Sequence, residues 1–260
     1  MADAFYEPNG EAFVPTELTR GPWDPDAQHA GPPAALLGRE LERCEPREGL
    51  EFGRVTFEIL KPVPLAPLTV EAKVVRPGRS VELLEATLSD EGGAIMRARS
   101  WRLQTGDVAL DPEPARDEPP PGPETASEAD FFPTGQAVGY HTAMDFRFVS
   151  GGFLEPGPAV VWTRMRQPLV PGEEPSPLQR VLAAADSGNG VSAALDWRRY
   201  LFINTDLTVH LMRMPAGDWV CLDAVTYPEP HGIGLADTAI WDERGRIGRG
   251  AQTLLVRPRR

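Results

Sequence analysis

Two stretches of this chain, about 150 residues apart, run in register. VTFEIL from Val55 lies over LTVHLM from Leu207, and the match continues to the end of the chain. Leu83 falls on Leu235, Asp90-Glu91 on Asp242-Glu243, Ile95 on Ile247 and Arg97 on Arg249. A one-residue gap near Pro64, closed by Arg79, brings the intervening residues into line. A helical stretch precedes each copy. Periods of 20–50 residues mark solenoids, so a period this long makes the repeat unit a whole small fold. A site is expected where the two copies meet.

The 260 residues suffice for two small units, each large enough to hold a core. A hydrophobic content of 41% and a charged content of 25% are those of a globular protein. No apolar run approaches the ~20 residues that span a bilayer, and the acidic MADAFYEPNGEAF start lacks a signal-peptide core. Cys44 and Cys221 sit inside a helical and a strand pattern, as small apolar residues of a reducing compartment. These features point to a cytoplasmic protein with no membrane partner. A net charge of −12 opposes nucleic-acid binding. Lys61 and Lys73 are the only lysines, so any local anion site is built from arginine forks.

Residues 32–44, PPAALLGRELERC, read as a helix with Ala34, Leu37, Leu41 and Cys44 on one stripe, and Arg39, Glu40 and Arg43 away from it. Four strand patterns follow, the last two joined by SDEGG as a hairpin turn. Residues 106–130 are rich in proline and acids and read as an extended linker between an N-terminal unit, 1–105, and a C-terminal unit, 131–260. The second unit opens with strand-like HTAMDFRFVSG and AVVWTRMR. A helix starts at Ser176-Pro177, with Leu178, Val181, Leu182 and Ala185 as its buried stripe. Four strands follow again. One apolar helix followed by an antiparallel meander, twice, is an α+β plan. It resembles a double hot-dog: two antiparallel sheets, each wrapped around a central helix, unless the first meander pairs edge to edge with the second in one continuous sheet.

The chain has no G-x-S-x-G elbow, no P-loop and no metal spacing among His29, His141, His210 and His231. Four places carry chemistry. Asp186 ends the second helix at the edge of its buried stripe, where the macrodipole disfavours an acid by ~0.3–1 kcal/mol; it serves either chemistry or the SGNG turn that follows. In FINTDLTVHLMR, period two puts Asn204, Asp206, Thr208 and His210 on one face, and Thr205, Leu207, Val209 and Leu211 on the core face. Gln252 shares a face with Leu254 and Val256, and a buried amide needs partners; Ser100 holds the equivalent place in the first copy. In QHAGPPAALL, Gly31 and Ala34 are the donors left at a helix start after Pro32 and Pro33, with His29 beside them; free N–H groups there can hold an oxyanion.

At HAGPPAALL, AAADSGNG, FINTDLTVHLMR and GAQTLLVRP the chain resembles the acyl-CoA thioesterase II (TesB-like) family, over nearly its whole length and nearest a bacterial thioesterase-like branch. The resemblance implies hydrolysis of acyl-CoA thioesters, with coenzyme A as part of the substrate and no other cofactor. It implies that Asp186 and Gln252 hold the attacking water, Asp186 as general base or as its orienter, with Asn204 where the family carries a hydroxyl. Thr205 supplies a hydroxyl one residue away, on the other face unless a bulge intervenes. Arg213, Arg249, Arg257, Arg259 and Arg260 are candidates for the coenzyme A phosphates. A non-catalytic acyl-CoA binding protein on the same fold is the alternative, and Asn204 favours it. A hot-dog hydratase and a lipocalin-like barrel fit less well. One active site per chain is expected, with further pairing into homo-oligomers through sheet edges.

Overall fold

The computed structural model describes residues 3–113, 115, 117–131 and 133–259. The first half runs β1 (Tyr6–Asn9), β2 (Ala12–Pro15), α1 (Gly31–Arg43), β3 (Leu50–Ile59), β4 (Leu68–Arg76), β5 (Val81–Asp90) and β6 (Gly93–Gln104). The second runs α2 (Tyr140–Ala143), β7 (Met144–Gly152), β8 (Glu155–Met165), α3 (Pro177–Ala185), α4 (Gly188–Val191), β9 (Tyr200–Asn204), β10 (Asp206–Leu211), β11 (Val220–Pro228), β12 (Ile233–Asp242) and β13 (Gly245–Pro258). The repeat is visible strand by strand. β4, β5 and β6 start at Leu68, Val81 and Gly93, and β11, β12 and β13 at Val220, Ile233 and Gly245, each pair separated by the Thr56–Thr208 spacing. That spacing holds through β4 and β11, so the gap placed near Pro64 is unnecessary.

Of the two arrangements the sequence leaves open, two separate sheets or one continuous sheet, the structure has the second. The strands follow the order β1-β2-β4-β5-β6-β3-β10-β13-β12-β11-β8-β7, with β9 beside β13. The seam is the antiparallel pair β3–β10. Thr56 lies opposite Thr208, its own repeat mate, with the two hydroxyls 3.3 Å apart; Glu58 lies opposite Asp206, and Arg54 opposite His210. An internal two-fold axis therefore passes between the two threonines. Pairing β3 with β10 satisfies the backbone groups that two separate sheets would have left at exposed edges.

The helices share one core. α1 packs on β4 and β5, α3 on β8, β10 and β11, and the two lie against each other. Gly38 permits that approach, because a Cβ there would sit 2.5 Å from Leu182 Cδ1. The cluster from Leu36, Phe57 and Leu84 to Val181, Leu182 and Ile247 is continuous. A helix covered on several sides is buried beyond a single stripe. Arg39, placed away from the stripe in the sequence reading, is accordingly buried. It packs over the Phe13 ring and pairs through Nε with Glu173 at 2.7 Å. The proline-rich segment is docked from Pro121 onward: the Trp162 indole donates to Pro121 O, Arg147 donates to Pro123 O, and Ser127 bridges to Phe148. Cys221 is buried with Trp162 and Trp241. Among the described residues no helix is long and apolar enough to cross a membrane.

Candidate active site

α3 is capped by the Ser176 hydroxyl, which accepts from Gln179 N, and it stops at Asp186, ahead of Ser187-Gly188-Asn189-Gly190. The Asp186 side chain is buried at the negative end of a helix, so it needs donors. Asn204 Nδ2 donates to its Oδ1 at 2.7 Å, and Gln252 Nε2 donates to the same oxygen and to the Asp186 carbonyl, both at 3.2 Å. Gln252 is itself oriented, because Asn189 N donates to its Oε1 at 3.1 Å. Its amide therefore spends its bonds on holding the carboxylate, while the second N–H and the carbonyl oxygen of the Asn204 side chain have no partner among the described residues.

The first half contributes His29. Its Nδ1 lies 3.2 Å from Asp186 Oδ2 and accepts the Gly31 N–H at 3.1 Å. The ring stacks on Tyr140, with centroids 3.8 Å apart and planes 4° from parallel. Tyr140 donates its hydroxyl to Ala183 O at 2.8 Å and lies 2.9 Å from Ser187 Oγ. Burial lowers the His29 pKa below its ordinary 6.5, while the Asp186 charge pulls it back up. The imidazole is thus neutral near pH 7. Nδ1 and Oδ2 are both acceptors when unprotonated, so their contact is attractive only with a proton between them. Burial first, and the Asp186 charge second, hold the Tyr140 hydroxyl protonated.

Asp186, Asn204, Gln252, His29 and Gly31 thus converge, and three expectations change. Gly31 N–H is taken by His29, Ala34 N–H goes to Ala30 O, and Pro32 and Pro33 have none, so the two expected donors, Gly31 and Ala34, are not free for an oxyanion. Asn204 faces inward although strand alternation put it on the outer face. The pairing changes by one residue between Asn204↔Leu254 and Thr208↔Ala251, a bulge at Thr205. Asp206 Oδ1 holds that bulge by accepting from Thr253 N at 3.1 Å and from the Thr205 hydroxyl at 3.3 Å. Thr205 is exposed, and its hydroxyl donates to Asp206 rather than to Asp186.

The third change concerns the two arginines. Arg213 grips the buried Asp242 in the β12–β13 turn, its Nη2 donating to Oδ1 at 2.6 Å. That turn is about 20 Å along β13 from Gln252 at ~3.3 Å per residue. Arg249 pairs with Asp237 at 2.7 Å on the exposed face. Neither reaches the cluster, and Arg260 lies outside the described residues. Tyr140, Ser187 and Asn189 join the cluster without a signal in the sequence. Tyr140 follows the proline-rich segment in no recognisable pattern, and Ser187 and Asn189 read as turn residues.

His29, Tyr140, Ser187 and Gly190 open onto a crevice of about 40 Å³, walled by Phe131, Phe146 and Phe153, with the half-exposed Trp23 at its side. The two-fold mate of this region is different. Ser100, the mate of Gln252, bonds Arg54 O, and Phe52 stands where Asn204 does. Arg102 donates to the carbonyls of Cys44 and Glu45 at the end of α1. Among the described residues no cluster of three or more His, Cys, Asp or Glu side chains could hold a metal ion.

Two family models match the chain: an acyl-CoA thioesterase N-terminal domain over residues 19–103 and an acyl-CoA thioesterase C-terminal domain over residues 114–256. The second alone covers more than half of the sequence. No match was found among curated protein sequences. Similar crystal structures include a thioesterase II candidate from Thermobifida fusca YX (TM-score 0.74, 20% identity, 97% of this chain and 94% of that one). A hot-dog protein from Alicyclobacillus acidocaldarius is similar too (TM-score 0.74, 16% identity, 98% and 97% covered). So is the tesB protein of Mycobacterium avium subs. paratuberculosis (TM-score 0.69, 16% identity, 97% and 96% covered). These likenesses establish a hot-dog fold.

Proposed function

Because this chain belongs to the acyl-CoA thioesterase family of hydrolases, we propose that it cleaves acyl-CoA thioesters with a water activated by the buried Asp186–His29 pair. The observation that supports the reading is the convergence of Asn204, Gln252 and His29, from separate strands and from both halves, on one carboxylate. The unused N–H and carbonyl of Asn204 hold the water. Its oxygen attacks the thioester carbonyl carbon, its proton passes to the Asp186–His29 pair, the C–S bond breaks, and the proton leaves with the thiolate. Gln252 acts by fixing the carboxylate. The acyl group occupies the crevice lined by Phe131, Phe146 and Phe153. The test is thiol release from an acyl-CoA panel. Asp186→Asn keeps the size of the side chain and removes its charge, and is expected to lower kcat by ~10²–10⁴. Hydrolysis at the wild-type rate by this variant would refute the proposal.

A further inference from the structure

Most buried or half-buried arginines of this protein are neutralised by a carboxylate, as Arg39, Arg102, Arg180 and Arg213 are. The exposed Arg198 and Arg259, like the exposed Arg97 and Arg199, form no ion pair among the described residues. Arg198 and Arg259 stand instead on tryptophan. The Arg259 guanidinium lies 5.6 Å from the Trp23 ring centroid, and Arg198 lies 5.1 Å from that of Trp197. The two indoles are 6.4 Å apart at 50°. Arg259 Nε also donates to Trp197 O at 2.8 Å, and Arg259 N to Arg199 O at 2.8 Å. The acids around the patch include Asp196, whose Oδ1 accepts from Arg198 N, and Asp24, which accepts from Asp26 N.

Trp23 also belongs to the wall of the His29 crevice, so this cationic aromatic patch is continuous with the mouth of the site. The net charge of −12 repels a polyanion overall, so an anionic ligand needs a local cationic patch. Guanidinium forks suit phosphate oxygens, and indole faces suit a purine. We propose that Trp23, Trp197, Arg198 and Arg259 form the subsite for the nucleotide diphosphate end of coenzyme A. The proposal rests on the thioesterase reading and names how its substrate is held.

The experiment compares two thioesters with the same short acyl group, one on coenzyme A and one on N-acetylcysteamine, which lacks the nucleotide. Arg198→Gln and Arg259→Gln, singly and together, are expected to raise KM for the coenzyme A ester about tenfold per arginine, the loss of one charge-assisted contact. They are expected to leave kcat, and both constants for the N-acetylcysteamine ester, unchanged. Equal losses on both esters, or no change in the double variant, would overturn the assignment. So would a thioester of an acidic carrier protein that is cleaved faster than the coenzyme A ester and depends on the same arginines. Wild-type protein that cleaves neither ester defeats the thioesterase reading instead. Calorimetric binding of adenosine 3',5'-bisphosphate to wild type and double variant then still decides the patch: binding that the double variant loses supports it, and no binding by wild type refutes it.

Discussion

Gly31 is expected to be indispensable for a reason unconnected with backbone freedom. It begins α1, and glycine there is a poorer helix former than alanine by ~1 kcal/mol, so propensity alone makes Gly31→Ala stabilising. The packing reverses the sign. A Cβ on residue 31 would lie 2.3 Å from the carbonyl oxygen of Ala183 and 3.1 Å from His29 Nδ1, where ordinary contact begins at 3.4 Å. The obstructing atom is α3 backbone, so the helices must part by about 1 Å. The same Ala183 oxygen accepts the Tyr140 hydroxyl, and Asp186 follows three residues later. Overpacking of this kind costs ~1–3 kcal/mol. Less the ~1 kcal/mol from propensity, the net loss reaches ~2 kcal/mol, and at ~2–4 °C per kcal/mol for a chain of this size the Tm is lower by up to about 8 °C in thermal unfolding followed by circular dichroism. Displacing Tyr140, His29 and Asp186 by 1 Å also lowers kcat by up to ~10²-fold. Gly38→Ala is the control. Its Cβ meets the tip of the Leu182 side chain, which can turn aside, so its loss of Tm is smaller. A Gly31→Ala protein that melts at or above the wild-type temperature would refute the helix-contact argument.

Two other outcomes follow from the same geometry. Burial holds the folded-state pKa of His29 below the 6.5 it has in the unfolded chain, so the unfolded state binds more protons in that window. The stability that His29 contributes is complete above pH 6.5 and is lost as the pH falls from there to the folded pKa. Wild type should therefore lose more Tm than His29→Gln between pH 7.5 and 5.5, and equal slopes would count against a neutral buried imidazole. The crevice of about 40 Å³ is well below the ~150 Å³ of a cavity that holds benzene, so kcat/KM across an acyl-CoA series should peak at short chains. Phe153→Ala should move that peak to longer acyl groups, and a wild-type preference for palmitoyl-CoA would show that the acyl chain lies elsewhere.

The repeat was legible because it is written in strand-length blocks of matching pattern. The β5–β6 and β12–β13 hairpins carry their turns at Asp90-Glu91 and Asp242-Glu243, and each half has an apolar helix ahead of its strands. The edge contact was not legible. Nothing in VTFEIL says that β3 pairs with β10, since the alternation of Val55 and Phe57 satisfies a free edge as well as a seam. Asp186 and Gln252 could be read because each violates a local preference, an acid at a helix C-terminus and an amide on an apolar face. Period two puts Asn204 on the outer face because it assumes an unbroken strand, and the bulge at Thr205 depends on a tertiary bond from Thr253 N to Asp206. Arg213 and Arg249 looked available because their partners, Asp242 and Asp237, are distant along the chain.

The two-fold axis explains why the chain has one such cluster rather than two. At the end of α1 the first half places Arg102, whose guanidinium bonds the Cys44 and Glu45 carbonyls and pairs with buried Glu82. A cation at a helix C-terminus complements the macrodipole, so this arrangement contributes stability. At the end of α3 the second half puts Asp186, an anion against the same dipole, and the residue equivalent to Arg102 is Leu254. The unfavourable charge is retained because Asn204 and Gln252 donate to it, and both differ from their first-half counterparts, Phe52 and Ser100. Restoring symmetry therefore has a direction. Replacing Asp186 removes a charge from an unfavourable place, so Asp186→Asn should keep or raise Tm while activity collapses. A variant that loses both in proportion would mean that Asp186 is a structural cap, and the cluster would then have no catalytic meaning.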